Sequence, residues 1–159
     1  MNYWLMKSEP TECSVDDALG APDATVPWTG VRNYQARNFM RDIMRAGDGV
    51  LFYHSSCAEP GIVGIARVAS ASRPDPTQFD PNSPYFDPAS KLEAPRWLLV
   101  DVQVLRKIPT LTLAELRART ELADLLVLKR GNRLSITPVV LRHWQAITAS
   151  RAPGARPVP

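Results

Sequence analysis

The run Gly49-Val50-Leu51-Phe52-Tyr53-His54-Ser55-Ser56-Cys57-Ala58-Glu59-Pro60-Gly61-Ile62-Val63-Gly64-Ile65-Ala66-Arg67-Val68 decides the fold. Two stretches rich in β-branched and aromatic residues flank a short polar connection, which predicts antiparallel strands near 49–55 and 61–71 joined as a hairpin. Gly64 inside the second strand predicts a bulge or a close backbone approach. Upstream, Tyr3-Trp4-Leu5-Met6-Lys7-Ser8-Glu9-Pro10 reads as a strand stopped by proline. Downstream, Arg96 to Arg106 alternates cleanly, and its apolar set Leu98, Val100, Val102 and Val104 is assigned to the core.

The helices between these strands are short. Ser14 is placed as N-cap of a helix over 15–19 closed by Gly20. Ala36, Phe39, Met40, Ile43 and Met44 form an apolar helical stripe, with Arg37, Arg41 and Arg45 on the other face and Gly47 as a left-handed C-cap. Thr112 and Glu115 form a capping box for 113–119. After a short strand at 134–136, Thr137 as N-cap and Pro138 at the first helical position open a last helix carrying His143 as a surface or capping residue. The segment 125–132 fits a helix end or a strand. From Arg73 to Pro95 six prolines exclude helix and central strand, leaving a long loop anchored by Tyr85 and Phe86, of the kind that forms lids and binding loops. Strands near 3–8, 49–55, 61–71 and 97–106 with few helices predict an α+β fold closed into a barrel around one shared core. Residues 1–150 are expected to form one domain and 151–159 a frayed tail.

Composition narrows the function. Of 159 residues 45% are hydrophobic and 22% charged, ordinary for a globular protein. No apolar run has the length of a membrane span, and Met1-Asn2-Tyr3-Trp4 lacks the features of a signal peptide, so a cytoplasmic monomer away from membranes is expected. Two cysteines, Cys13 and Cys57, and two histidines give neither a disulfide scaffold nor zinc-ligand spacing, so no metal or other cofactor is expected. Net charge is only +3. Nucleic-acid binding would therefore rest on a local patch.

A candidate patch lies at Trp28-Thr29-Gly30-Val31-Arg32-Asn33-Tyr34-Gln35-Ala36-Arg37-Asn38. An aromatic ring to stack on, amides to read a base edge and arginine to meet phosphate are the means of holding a nucleobase. In this reading Trp28 stacks, Arg32 contacts phosphate, and Asn33, Ser8 and His54 read the edge. In the competing reading Trp28 and Tyr34 are core residues and the amides are loop caps. No nucleophile elbow, phosphate loop, dinucleotide fingerprint or deaminase signature is present. His54 and Cys57, three apart near a strand, do not naturally face one another. The alternatives kept open are an enzyme acting on a nucleotide or modified base with His54 as acid or base, an RNA-binding domain, and a protein-interaction domain with a vestigial pocket.

Six runs together carry a more specific resemblance: Trp4 to Pro10, Trp28 to Asn38, Leu51-Phe52-Tyr53-His54-Ser55, Gly61 to Ala66, Pro84-Tyr85-Phe86-Asp87-Pro88 and Arg133-Leu134-Ser135-Ile136. In this order, over about residues 2 to 148, they resemble the EVE domain family. Cys13 departs from the family pattern, which often carries a tyrosine there. The resemblance implies a PUA-like mixed β pseudo-barrel flanked by short helices, close to the YTH domains that read methylated adenine in RNA. It also implies a non-catalytic pocket for a modified nucleobase, foremost a modified cytosine in DNA, with DNA ahead of RNA as the partner. Carried over by position, the pocket residues are Lys7, Ser8, Trp28, Arg32, Asn33, Tyr53, His54, Ser55 and Ser135.

Overall fold

Side-chain alternation along two neighbouring strands organises the molecule. The computed structural model describes residues 1–151. Its strands are β1 (Tyr3–Ser8), β2 (Thr25–Pro27), β3 (Gly49–His54), β4 (Gly61–Val68), β5 (Arg73–Pro74), β6 (Leu98–Leu99), β7 (Asp101–Thr112) and β8 (Ile136–Val139). Six form a mixed sheet in the order β2-β7-β4-β3-β1-β8, and β5 pairs with β6 alone. Within the sheet β1 and β3 run parallel, and the other pairs are antiparallel. β2 and β8 are its two ends and do not pair with each other among the described residues. The sheet is mixed and unclosed, as in a pseudo-barrel.

Trp4, Met6, Val50 and Phe52 enter one core, whereas Leu5, Leu51 and Tyr53 enter another. Successive side chains point to opposite faces of a sheet, so β1 and β3 are apolar on both sides. The single shared core expected from the sequence is thus corrected to two. The first is completed by α1 (Val15–Gly20) and α2 (Tyr34–Asn38) through Val15, Ala18 and Ala36. The second is covered by α3 (Leu113–Ala118) and α4 (Leu141–Ser150) through Leu116 and Ile147, with Leu122 and Leu125 from the turns between them.

Several local readings need correction. After α2 the chain continues as a π turn, Phe39–Ile43, closed by the Met44 N–H on the Phe39 carbonyl at 2.8 Å. The wider turn keeps Met40 and Met44 in the core but leaves Ile43 44% exposed. Gly47 has the positive φ expected, yet it lies beyond the helix end and donates to Val68 rather than capping. The strand over 97–106 breaks at Val100 and resumes to Thr112; the break flips the alternation, so Trp97 and Leu99 are buried while Leu98 is only partly so. Thr137 and Pro138 do not open a helix: they lie inside β8, an edge strand, where a proline without N–H is tolerated. Gly64 meets its expectation, with a register shift beside it and a notional Cβ 3.0 Å from Val15. His143 is buried, not on the surface, with Nε2 2.8 Å from the Asp124 carboxylate. Arg151 is tied to Glu115 at 2.9 Å, and the rest of the expected frayed tail, 152–159, lies outside the described residues.

Candidate functional site

Because β1 and β3 are parallel, they end on the same side: Ser8 is opposite His54, and the Ser55 N–H donates to the Ser8 carbonyl at 3.0 Å. The Lys7 N–H donates to the Ser135 carbonyl at 2.8 Å, bringing the segment before β8 to the same place. Between these ends and the Trp28–Val31 segment opens a cleft of about 700 Å³. That is within the size range of small-ligand sites. Of the residues singled out in the sequence, Lys7, Ser8, Trp28, Ser55 and Ser135 line it.

Trp28 forms the rear wall. It is buried, and its ring meets Phe52 edge-on with centroids 5.1 Å apart, so only part of it faces the cleft. Lys7 brings a half-buried ammonium whose pKa is lowered by that burial, and no acid pairs with it among the described residues. The Ser8 hydroxyl donates to the Cys13 carbonyl at 2.6 Å, leaving its oxygen to accept.

The other four candidates do not line the cleft, each for a physical reason. Tyr53, which stands opposite Lys7 in the β1–β3 register, is buried in the second core. Asn33 is the N-cap of α2, its side chain accepting from the Ala36 N–H at 3.1 Å. His54 accepts the Val15 N–H on Nε2 at 3.0 Å, which places its proton on Nδ1, and burial lowers its pKa. Arg32 turns inward: Nε and Nη2 donate to the Tyr85 carbonyl, Nη1 to the Val31 carbonyl and to Asp75, and Nη2 also to Thr77. All five of its N–H groups are thereby used. A phosphate contact from Arg32 is corrected to an anchor for the proline-rich loop.

Asp75 at the centre of that anchor is fully buried. Burial pushes its pKa up, but bonds from Thr77, the Gly30 N–H and Arg32 outweigh this and hold it below the usual carboxylate range. The loop carries Tyr85 onto the cleft as its outer wall. The Tyr85 ring lies on Gly30, whose φ is +86° and where a Cβ would come within 2.7 Å of the ring. Its hydroxyl donates to the Glu12 carboxylate at the rim. Burial and that carboxylate push the Tyr85 pKa up to about 12, so it remains a donor at any working pH. Sequence reasoning found Tyr85 as a loop anchor but missed Glu12, which no local pattern marks, and Asp75, which precedes a proline and reads as a turn former.

Beside the cleft, Arg133 lines the mouth, and the exposed Lys129 and Arg130 precede it in the same segment. None of the three is paired with an acid among the described residues. No group of three or more His, Cys, Asp or Glu able to hold a metal ion occurs among the described residues.

Residues 2–150 match the EVE domain family. Human thymocyte nuclear protein 1 is 41% identical over 92% of this chain and 72% of its own length, and the mouse protein of that name is 47% identical over 66% of this chain but half of its own length. Among solved structures, a protein from Pseudomonas putida has a TM-score of 0.87 at 45% identity, covering 92% of this chain and 97% of the other. The human THYN1 protein in complex with 5-methylcytosine-containing DNA has a TM-score of 0.87 at 39% identity, covering 92% and 95%. None of these names is catalytic. The expected cytoplasmic location is overturned by them, since the relatives are named as nuclear proteins. The length of apolar runs, on which the expectation rested, does not distinguish cytosol from nucleus.

Proposed function

The chain belongs to the EVE domain family and has its PUA-like fold, and from that footing we propose that it is a non-catalytic module holding a modified cytosine of DNA in the cleft. The observation that carries this is the likeness to human THYN1, a protein held with 5-methylcytosine-containing DNA. The cleft supplies what such a base needs: the aromatic rings of Trp28 and Tyr85 in its lining, polar groups of Lys7, Ser8, Ser55 and Ser135 for its edge, and cationic side chains at the mouth for the backbone. Phosphate contact moves from Arg32 to Lys129, Arg130 and Arg133. His54 gives no support to base chemistry: its Nε2 is occupied by a backbone N–H, and no carboxylate hydrogen-bonds its ring among the described residues.

Titration with oligonucleotides that differ only in carrying 5-methylcytosine or cytosine tests the reading. Tighter binding of the methylated strand is expected. Equal affinity for both, or product formation from either, would sink it.

A further inference from the structure

Shape can detect a methyl group on a pyrimidine, but 5-methylcytosine and thymine carry the same methyl group. They differ at the edge: cytosine presents an N4 amino donor beside acceptors, whereas thymine presents an O4 acceptor. A cleft that admits one by size admits the other. Discrimination needs an acceptor fixed where the amino group arrives.

Glu9 and Glu12 are the carboxylates lining the cleft. The two differ in how they are held. The Glu12 N–H donates to the Glu9 carbonyl at 2.9 Å, fixing the turn, and the Glu12 carboxylate accepts from the Tyr85 hydroxyl, itself seated on Gly30. Glu9 has no side-chain hydrogen bond among the described residues. The Tyr85 hydroxyl stands against both Glu12 oxygens and takes their facing lone pairs, so about two of the roughly four acceptor positions are left for an amino group. Lys7, in the same lining, is a donor of the kind the ring acceptors next to that amino group need. The two side chains thus supply an acceptor and a donor of the types the cytosine edge calls for, and a carboxylate meeting the O4 of thymine finds no hydrogen to accept.

Resting on the proposed function, we infer that Glu12, positioned by Tyr85, is the residue that selects an amino-bearing pyrimidine over thymine.

The test uses single-stranded oligonucleotides identical except for one 5-methylcytosine, cytosine or thymine, so that base-pair opening does not enter. Wild-type protein is expected to prefer 5-methylcytosine over thymine by roughly tenfold or more. Glu12→Gln, whose amide can donate or accept, should bring that ratio close to one, chiefly by improving thymine binding, while Glu9→Gln leaves it intact. Tyr85→Phe should lower the ratio less than Glu12→Gln does. Because Glu12 is exposed, its variant should melt with the wild type, which separates lost selection from lost fold. An unchanged ratio in Glu12→Gln, a loss in Glu9→Gln instead, or a larger loss in Tyr85→Phe overturns the inference. If wild type prefers 5-methylcytosine over cytosine while Glu12→Gln keeps the thymine ratio, this inference alone falls. If wild type shows no preference for 5-methylcytosine over cytosine, both fall.

Discussion

At Arg32 the guanidinium stands 3.1 Å from a carboxylate whose side chain has no exposed surface, while Arg32 itself keeps 21% of its side-chain surface. Removing one partner of such a pair leaves a buried charge alone, at a cost of about 3 kcal/mol. Arg32→Ala should therefore lower stability by about that amount in chemical denaturation and leave the salt slope of DNA binding unchanged. A flattened slope at intact stability would restore the phosphate role. His54 sets a pH dependence of known sign. Its folded pKa lies below 6.5 because burial disfavours the cation and Nε2 must stay unprotonated to accept the Val15 N–H. The unfolded chain then binds more protons below pH 6.5, so this contribution is full above 6.5 and is lost as pH falls through the folded value. Melting from pH 8 to pH 5 should show a decline that His54→Gln reduces. The residue types around Trp28 pointed to a site, but Asp75, 43 residues from Arg32, was invisible to any local pattern.

Hairpin, capped helices and proline-rich loop were legible as elements because each is set by local chemistry: apolar alternation, a side chain reaching a nearby N–H, or missing donors. What was not legible depended on tertiary partners. Whether Pro138 sits in a helix or a strand is decided by β8 being an edge, and the π turn at 39–43 by which residues the core accepts. Two predictions belong to elements. Asn33→Ala removes the N-cap of α2 and should cost about 1 kcal/mol without changing the preference for methylated over plain cytosine; a narrowed preference would return Asn33 to the site. Gly30→Ala forces a side chain onto a φ of +86° and into the Tyr85 ring. The backbone term alone is about 1–2 kcal/mol, and displacement of the ring should weaken binding of every base. Lost stability with unaltered affinity would show that Tyr85 is not a wall of the working cleft.

Across the whole molecule, charge rather than net charge density decides how a polymer would approach. The total of +3 is small, and many arginines are engaged: Arg32 with Asp75, Arg73 with Asp101, Arg142 with Asp124, Arg151 with Glu115. Against that background Lys129, Arg130 and Arg133 stand exposed and without acid partners among the described residues, on the segment that leads into the cleft mouth. A strand whose base enters the cleft must lay its flanking phosphates near that mouth. Each phosphate neutralised releases a counterion, so the slope of log K against log salt changes by about 0.9 for duplex DNA and about 0.7 for a single strand. Replacing both Lys129 and Arg130 by Ala should therefore flatten the slope on a single strand by about 1.4, weaken binding of methylated and plain strands alike, and leave their ratio intact. The same measurement on Arg41→Ala, an exposed arginine paired with Asp42 in the π turn, should leave the slope unmoved. If the Arg41 variant flattens the slope and the Lys129, Arg130 variant does not, the backbone does not run past the mouth and the cleft is not where the base enters.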